Sequence, residues 1–155
     1  MNLPKIGDEA IDFESLDDQG NPIRLSDFRG QELVLYFYPR ADTPGCTKEA
    51  CAFRDDYSAY QQRGVTILGV SPDSVKDQAK FKKKFSLPFT LVADEDHSVS
   101  EKYGVWGLKK FMGREYEGVH RTTFLIDPAG KIKAVFEKVK PAEHSQEILA
   151  AFQET

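Results

Sequence analysis

The chain has 155 residues and a formal net charge of −4, because 25 acidic side chains outnumber 21 lysines and arginines. This acidic balance argues against a nucleic-acid-binding surface, and no segment has the roughly 20 consecutive apolar residues of a membrane-spanning helix. The length suits one domain with a sizeable core, so we expect a single domain over residues 1–155. The sequence does not open with a basic segment followed by an apolar one, so we expect no secretory signal and a cytoplasmic location.

The first predicted elements are a hairpin, a buried strand and a long helix. Two short alternating segments flank the turn-forming run Asp17–Pro22 and predict a hairpin over residues 11–28. The continuous apolar run Leu33–Tyr38 predicts a strand that is covered on both faces. A helix is predicted from about residue 44 to residue 62, where Gly64 ends it.

The second half of the chain continues the alternation of strands and helices. Val65–Val70 predicts another buried strand, and Ser74 is a candidate N-cap for a helix to about residue 84. The other predicted elements are a strand at Phe89–Ala93, a short helix at 98–103, a hairpin of Thr122–Asp127 and Ile132–Glu137, and a final helix at 143–154. This order predicts an α/β fold with a central mixed sheet and helices on both faces, and it fits a thioredoxin-like core.

The chain contains two cysteines, Cys46 and Cys51, directly after the first predicted buried strand. Pro44 and Gly45 break the chain there, so Cys46 falls in the first turn of the predicted helix. The free amide groups and positive dipole end of a helix stabilise an anion, and the thiolate is the reactive form of cysteine. This position predicts a reactive thiol, and Cys51 offers a second thiol that can react with it after oxidation.

Helix geometry restricts what the two thiols can do. Five residues along a regular helix separate two Cα atoms by roughly 8–9 Å, whereas a disulfide needs Cα atoms within about 7 Å. Cys46 and Cys51 therefore bond only if the first turns of the helix unwind, or they do not bond and are small buried side chains. We expect no metal and no other cofactor, because the cysteine spacing matches no zinc pattern and the three histidines (His97, His120 and His144) lie far apart in sequence.

The run from Pro39 through Thr43 to Cys46 matches the signature Pro-x-x-x-Thr-x-x-Cys, and the chain resembles the peroxiredoxins. Further segments resemble the family in the same order along the chain: Val70–Asp73, Phe89–Asp94, Tyr103–Trp106 and Gly118–Asp127. A second cysteine five residues after the first is similar to the bacterioferritin comigratory protein, or PrxQ, subfamily. The resemblance implies a thioredoxin-like fold with an added N-terminal hairpin and the reduction of peroxides by a peroxidatic cysteine.

The resemblance also implies roles for individual side chains. Cys46 would attack the peroxide and become a sulfenic acid, and Cys51 would be the resolving thiol. Thr43 can cap the helix with its hydroxyl, and the resemblance adds a hydrogen bond to the peroxide. Arg121 is implied to lie beside the thiolate, where its fixed charge stabilises the anion and offsets the charge of Glu49, one helical turn from Cys46.

Several of these side chains have structural alternatives. Arg121 can be a surface arginine at the start of a strand, and Glu49 can be a solvent-facing helix residue. Pro39 would shield the thiolate from water, or it only ends the strand that precedes it. Three further side chains either line the rim of the active site, which would suit organic peroxides, or are ordinary packing: Trp106, Phe111 and Met112.

The resemblance implies two partners, a peroxide substrate and thioredoxin or a similar dithiol reductant. Hydrogen peroxide and organic hydroperoxides are the expected substrates, and a monomer is the expected state. Two other functions stay open. A thiol–disulfide oxidoreductase of the thioredoxin type would need Cys-x-x-Cys spacing, which this chain lacks. A redox-sensing module would oxidise once and then bind a partner.

Overall fold

The computed structural model describes residues 3–153, which form nine strands and five α-helices. In chain order the elements are β1 Glu14–Asp17, β2 Pro22–Arg24, a 3₁₀ turn Leu25–Phe28, β3 Glu32–Phe37, α1 Pro44–Asp55, α2 Tyr57–Gln62, β4 Val65–Ser71, α3 Val75–Phe85, β5 Thr90–Ala93, α4 Ser98–Lys102, β6 Trp106–Phe111, β7 Arg114–Val119, β8 Thr122–Ile126, β9 Ile132–Phe136 and α5 His144–Gln153.

Seven of the strands form one mixed sheet in the order β2-β1-β5-β4-β3-β8-β9. The central strands β3, β4 and β5 are parallel, and antiparallel pairs with β1 and β8 extend the sheet on either side. Strands β6 and β7 form a separate antiparallel hairpin. The predicted mixed sheet and its N-terminal hairpin β1–β2 are confirmed.

The core lies in two layers, one on each face of the sheet. Successive side chains of a strand point to opposite faces, and β3 therefore contributes to both layers. Val34 and Tyr36 belong to one layer together with side chains of α1, α3 and α5. Leu35 and Phe37 belong to the other layer, which α4 covers through Val99. Helices thus lie on both faces, as the sequence pattern predicts.

One glycine makes room for a contact between the sheet and α1. Tyr36 of β3 lies opposite Gly69 of β4, and a Cβ atom at Gly69 would be 2.9 Å from the Tyr36 ring and hydroxyl. The missing side chain lets the ring lie across β4. From there it meets Phe53 of α1 at a centroid distance of 4.8 Å. This contact anchors the helix that carries both cysteines to the middle of the sheet.

The single helix predicted over residues 44–62 is wrong in one respect, because it is interrupted at Asp56. The backbone there has φ −95° and ψ 7°, which ends α1 and begins α2. The Asp56 carboxylate accepts hydrogen bonds from Ser145 Oγ at 2.7 Å and Gln146 Nε2 at 2.9 Å, both on α5. These tertiary contacts, which sequence periodicity cannot show, accompany the break.

The hairpin β6–β7 was not predicted. Its turn contains Met112 with φ 52° and Gly113 with φ 80°. Two successive positive φ angles suit a tight hairpin turn, but methionine rarely adopts that conformation, so the turn carries no recognisable sequence signal.

The remaining predicted elements are confirmed with small shifts at their ends. Ser74 caps α3, because its hydroxyl accepts a hydrogen bond from the backbone N–H of Asp77 at 3.1 Å. The predicted terminal helix corresponds to α5, and residue 154 lies outside the described residues. Within residues 3–153, no helix is both long enough and apolar enough to cross a membrane.

Candidate active site

Cys46 lies in the first turn of α1, immediately beyond the end of the buried strand β3. Thr43 is the N-cap residue, and its carbonyl accepts the first helical hydrogen bond from Thr47 N at 2.8 Å. The amide groups of Gly45 and Cys46 precede that bond, so neither has a partner four residues back in the helix. Cys46 as a whole residue is 1% exposed. The predicted position of the thiol at a helix N-terminus is confirmed.

Arg121 connects Cys46 with Glu49. Its Nη2 lies 3.4 Å from Cys46 Sγ, and its Nη1 donates to Glu49 Oε1 at 2.7 Å. The sheet brings these residues together, because Thr122 of β8 pairs with Phe37 at the end of β3. Arg121 precedes that pair and therefore stands at the same edge as the start of α1. The surface alternatives for Arg121 and Glu49 are wrong, since their side chains are only 18% and 0% exposed.

Burial and the attraction between the charges act in opposite directions on this ion pair. Burial raises the pKa of Glu49 to about 7, although Arg121 acts in the opposite direction. Burial also opposes the charge on Arg121, but attraction to Glu49 and Cys46 gives Arg121 a raised pKa overall. The second carboxylate oxygen, Glu49 Oε2, is buried without a hydrogen-bond partner in the described part of the chain. The Arg121 guanidinium is therefore permanently charged and lies between Glu49 and Cys46, which can each carry a negative charge.

Gly45 leaves the space that the guanidinium occupies. A Cβ atom at this position would lie 3.2 Å from Arg121 Nη2 and 3.7 Å from Pro141 Cγ. From the sequence, Gly45 was identified only as a chain break, and its role as a contact surface was missed. A glycine inside the first turn of a helix is unfavourable in itself, and this is the signal that could have indicated a packing requirement.

Thr43 occupies the N-cap position, but the predicted capping by its hydroxyl is wrong. The backbone is extended there, with φ −102° and ψ 158°, and the side chain accepts no hydrogen bond from the helix. Its hydroxyl instead donates to the carbonyl of Arg40 at 2.8 Å. A hydroxyl that has used its proton keeps its lone pairs as acceptors. Thr43 is thus able to accept a hydrogen bond from a protonated oxygen.

Pro39 is half-buried at the junction between β3 and the loop that leads to Cys46. The preceding residue still pairs with the sheet, because Tyr38 N donates to Val70 O at 2.9 Å. Pro39 has no N–H with which to continue the pairing, so it ends the strand. Shielding of the thiolate by its ring stays a prediction.

Cys51 lies on α1 with Cys46, and both cysteines are free. The helix is continuous between them, as the geometric prediction for the reduced protein requires. Cys51 is half-buried, and burial raises its pKa, while the charge of Arg54 partly opposes that shift. Its thiol is therefore biased toward the protonated form.

The residues proposed for the rim have different surroundings. Trp106 stacks on His97 with ring centroids 3.9 Å apart, so it serves at least in packing. Phe111 and Met112, at the end of the hairpin β6–β7, are 65% and 87% exposed and therefore belong to no core. His120 Nε2 lies 3.1 Å from the carbonyl oxygen of Leu108, which ties its ring to the hairpin.

Comparison with known proteins agrees with this geometry. Residues 6–135 match the model of the AhpC/TSA family. The chain is 47% identical over 149 residues to peroxiredoxin Bcp of Escherichia coli (strain K12), and the match covers 96% of each chain. It is 47% identical over 145 residues to peroxiredoxin Bcp of Bacillus subtilis (strain 168), covering 94% of this chain and 92% of that protein.

Solved structures show the same relationship. A mutant of Xylella fastidiosa PrxQ matches with a TM-score of 0.93 and 32% identity, covering 99% of this chain and 98% of that one. A structure of Xanthomonas campestris bacterioferritin comigratory protein, which addresses its alkyl peroxide reduction activity, matches with a TM-score of 0.86 and 35% identity, covering 92% and 90% of the two chains. The predicted thioredoxin-like fold is confirmed.

The chain therefore belongs to the AhpC/TSA family, as a peroxiredoxin of the bacterioferritin comigratory protein, or PrxQ, type. It is a thiol-dependent peroxidase, which acts on a peroxide and is restored by a reductant.

Proposed function

We propose that Cys46 is the peroxidatic cysteine and that Cys51 resolves its oxidised form. The approach of Arg121 Nη2 to within 3.4 Å of Cys46 Sγ is the observation that carries this assignment. It gives Cys46 a permanent cation in addition to the helix N-terminus, and both stabilise the thiolate. Cys51 lies further along α1, away from the helix N-terminus, and burial raises its pKa although the charge of Arg54 opposes that shift.

In the first step the Cys46 thiolate attacks the terminal oxygen of a hydroperoxide. A sulfur–oxygen bond forms while the O–O bond breaks, so sulfur is oxidised and the peroxide is reduced. The departing hydroxide or alkoxide takes up a proton and leaves as water or an alcohol, and Cys46 becomes a sulfenic acid. The Arg121 guanidinium stabilises the charge that moves from sulfur to oxygen, and Thr43 Oγ1 accepts a hydrogen bond from the peroxide O–H.

In the second step the thiol of Cys51 attacks the sulfenic acid of Cys46. A disulfide forms, and the sulfenic oxygen leaves with two protons as water. An intact helix holds the two Cα atoms roughly 8–9 Å apart, so α1 must unwind for this step. Two electrons and two protons from an external dithiol then restore both thiols, and the dithiol becomes a disulfide.

Thioredoxin or a similar dithiol protein is the proposed reductant, and the enzyme is proposed to act as a monomer in the cytoplasm. A dithiol that must return to its reduced form suits a reducing compartment. We include organic hydroperoxides among the substrates because the Xanthomonas campestris relative is studied for alkyl peroxide reduction. Catalysis by exchange on an intact helix, as in thioredoxin itself, is disfavoured by the spacing of Cys46 and Cys51.

Steady-state peroxide reduction with thioredoxin, thioredoxin reductase and NADPH tests the proposal. The wild-type protein should turn over many times with hydrogen peroxide and with a bulky hydroperoxide such as cumene hydroperoxide. Cys46→Ser should consume no peroxide, and Cys51→Ser should consume about one equivalent per chain and then stop. Normal cycling of Cys51→Ser with thioredoxin would remove Cys51 from the mechanism, and a single wild-type turnover would favour a redox sensor.

A further inference from the structure

Lys109 links the hairpin β6–β7 to the segment that carries Arg121. It stands in β6 opposite Tyr116 of β7, and its side chain is half-buried. Its Nζ donates a hydrogen bond to the carbonyl of Val119 at 2.9 Å. Val119 ends β7 two residues before Arg121, so the ammonium group is bound to the backbone segment that leads into Arg121.

Gly118 leaves room for the side chain of Lys109. A Cβ atom at Gly118 would lie 3.3 Å from Lys109 Cδ, so the aliphatic stem of the lysine crosses β7 where a side chain is missing. The backbone of Gly118 does not have a positive φ angle, so the requirement is for space and not for an unusual conformation. The hairpin therefore holds the ammonium group in one place.

The charges around Cys46 explain why a second cation matters. Arg121 forms an ion pair with Glu49, and above about pH 7, where Glu49 is ionised, these two charges cancel. A thiolate at Cys46 then adds one negative charge. Lys109 has no carboxylate within ion-pair distance among residues 3–153, so its charge is not neutralised locally.

The charge of Lys109 responds to the same group of residues. Burial and the neighbouring charge of Arg121 lower the pKa of Lys109, while the charge of Cys46 raises it. The charge of Lys109 therefore interacts with those of Arg121 and Cys46. Lys109 nevertheless belongs to a different sheet from the strands that hold the site.

We propose that Lys109 is a positioning residue of the active site, whose ammonium group balances the charge of the Cys46 thiolate while Glu49 neutralises Arg121. The inference rests on Cys46 being the reactive thiol. In this proposal the hairpin β6–β7 contributes a charge to the surroundings of Cys46, and the missing side chain of Gly118 leaves room for the stem of Lys109.

The rate of Cys46 alkylation by iodoacetamide as a function of pH tests this role. Measured in a Cys51→Ser background, it reports a single thiol. Lys109→Met keeps the length of the aliphatic stem and removes the charge. It should therefore move the midpoint of the profile upward by about 0.5–1 pH unit. At a pH below the midpoint, this shift corresponds to about three- to ten-fold less thiolate. Lys109→Arg keeps the charge and should leave the midpoint near that of the parent.

Lys110→Met is the matched control. It removes the same charge one residue further along β6, from a side chain that is 74% exposed and lies 3.7 Å from Glu115. Its profile should equal that of the parent. If Lys109→Met loses the hairpin, Lys109→Gln supplies the same test, because it removes the charge and keeps a side-chain donor.

The results separate the possible roles. Equal profiles for Lys109→Met and Lys110→Met would overturn the inference. Lys109 would then have only a structural role, through its hydrogen bond to Val119. The assignment of Cys46 fails by a different measurement, namely peroxide consumption by Cys46→Ser, which does not depend on Lys109.

Discussion

Arg121 is the residue on which the proposed reactivity of Cys46 depends most. It contacts Cys46 with one nitrogen and Glu49 with another, and both partners are almost fully buried. The sequence could place Arg121 beside the thiolate only through its resemblance to a family, because the contact depends on the antiparallel pairing of β8 with β3.

Arg121→Ala should damage activity and stability together. Loss of one donor to the developing charge should slow the reaction with peroxide by about 100-fold or more. Removing one partner of a buried ion pair should also cost roughly 3 kcal/mol of unfolding free energy, because Glu49 is left buried and unpaired. Stopped-flow kinetics and urea denaturation measure the two effects.

A second variant separates these effects. Adding Glu49→Gln to Arg121→Ala removes the unpaired carboxylate, so most of the lost stability should return while the rate stays low. An Arg121→Ala protein that reacts with peroxide as fast as the wild type would show that the contact with Cys46 has no catalytic role.

Gly45→Ala should lower activity without lowering stability. The added Cβ would press against the Arg121 guanidinium at 3.2 Å and displace it by a few tenths of an ångström. Misplacing a catalytic group can cost up to about 100-fold, and we expect roughly tenfold here. Alanine is favoured over glycine in a helix, so the melting temperature should not fall. An unchanged rate would mean that the guanidinium moves aside without consequence.

At the level of elements, the start of α1 could be predicted from local sequence signals, whereas its end depends on contacts with residues distant in sequence. The apolar run of β3, the break at Pro44 and Gly45, and the first-turn position of Cys46 follow from the sequence. The end of α1 at Asp56 does not, because it coincides with hydrogen bonds from α5. The hairpin β6–β7 was missed because Met112 occupies a turn position that rarely accommodates it.

The contacts of Asp56 are expected to limit the proposed unwinding of α1. Ser145 and Gln146 bind the Asp56 carboxylate, and the Tyr60 hydroxyl donates to the carbonyl of Ser145 at 2.9 Å. These bonds tie α2 to α5 independently of the cysteines. We therefore expect the oxidised protein to lose helical structure over residues 46–54 and to keep α2.

Amide hydrogen exchange on the reduced and disulfide forms measures this directly. Residues 46–54 should exchange faster in the disulfide form, because two Cα atoms roughly 8–9 Å apart must approach within about 7 Å. Helices α2 and α3 should exchange at the same rate in both forms and serve as internal controls. Equal protection of residues 46–54 in the two forms would rule out unwinding.

For the whole molecule, the buried carboxyl of Glu49 makes stability depend on pH. Its pKa rises from the ordinary value of 4.5 to about 7 on folding, chiefly through burial. The folded state therefore holds this proton more tightly than the unfolded state. The contribution to stability is complete below about pH 4.5 and is lost as the pH rises through about 7.

Comparing the wild type with Glu49→Gln isolates this contribution. Urea denaturation at pH values from 5 to 8 should show the wild type losing unfolding free energy relative to the variant, whose amide cannot ionise. A constant difference between the two proteins over this range would contradict a raised pKa for Glu49.

The central claim is that Cys46 is oxidised first and that Cys51 then bonds to it. Lys48 lies between the two cysteines, so trypsin separates them into peptides 41–48 and 49–54, which only a disulfide can join. Mass spectrometry after one equivalent of hydrogen peroxide should find these peptides linked in the wild type, and in Cys51→Ser a dimedone adduct on peptide 41–48. Unlinked peptides in the wild type, or peroxide consumption that survives in Cys46→Ser, would contradict the account.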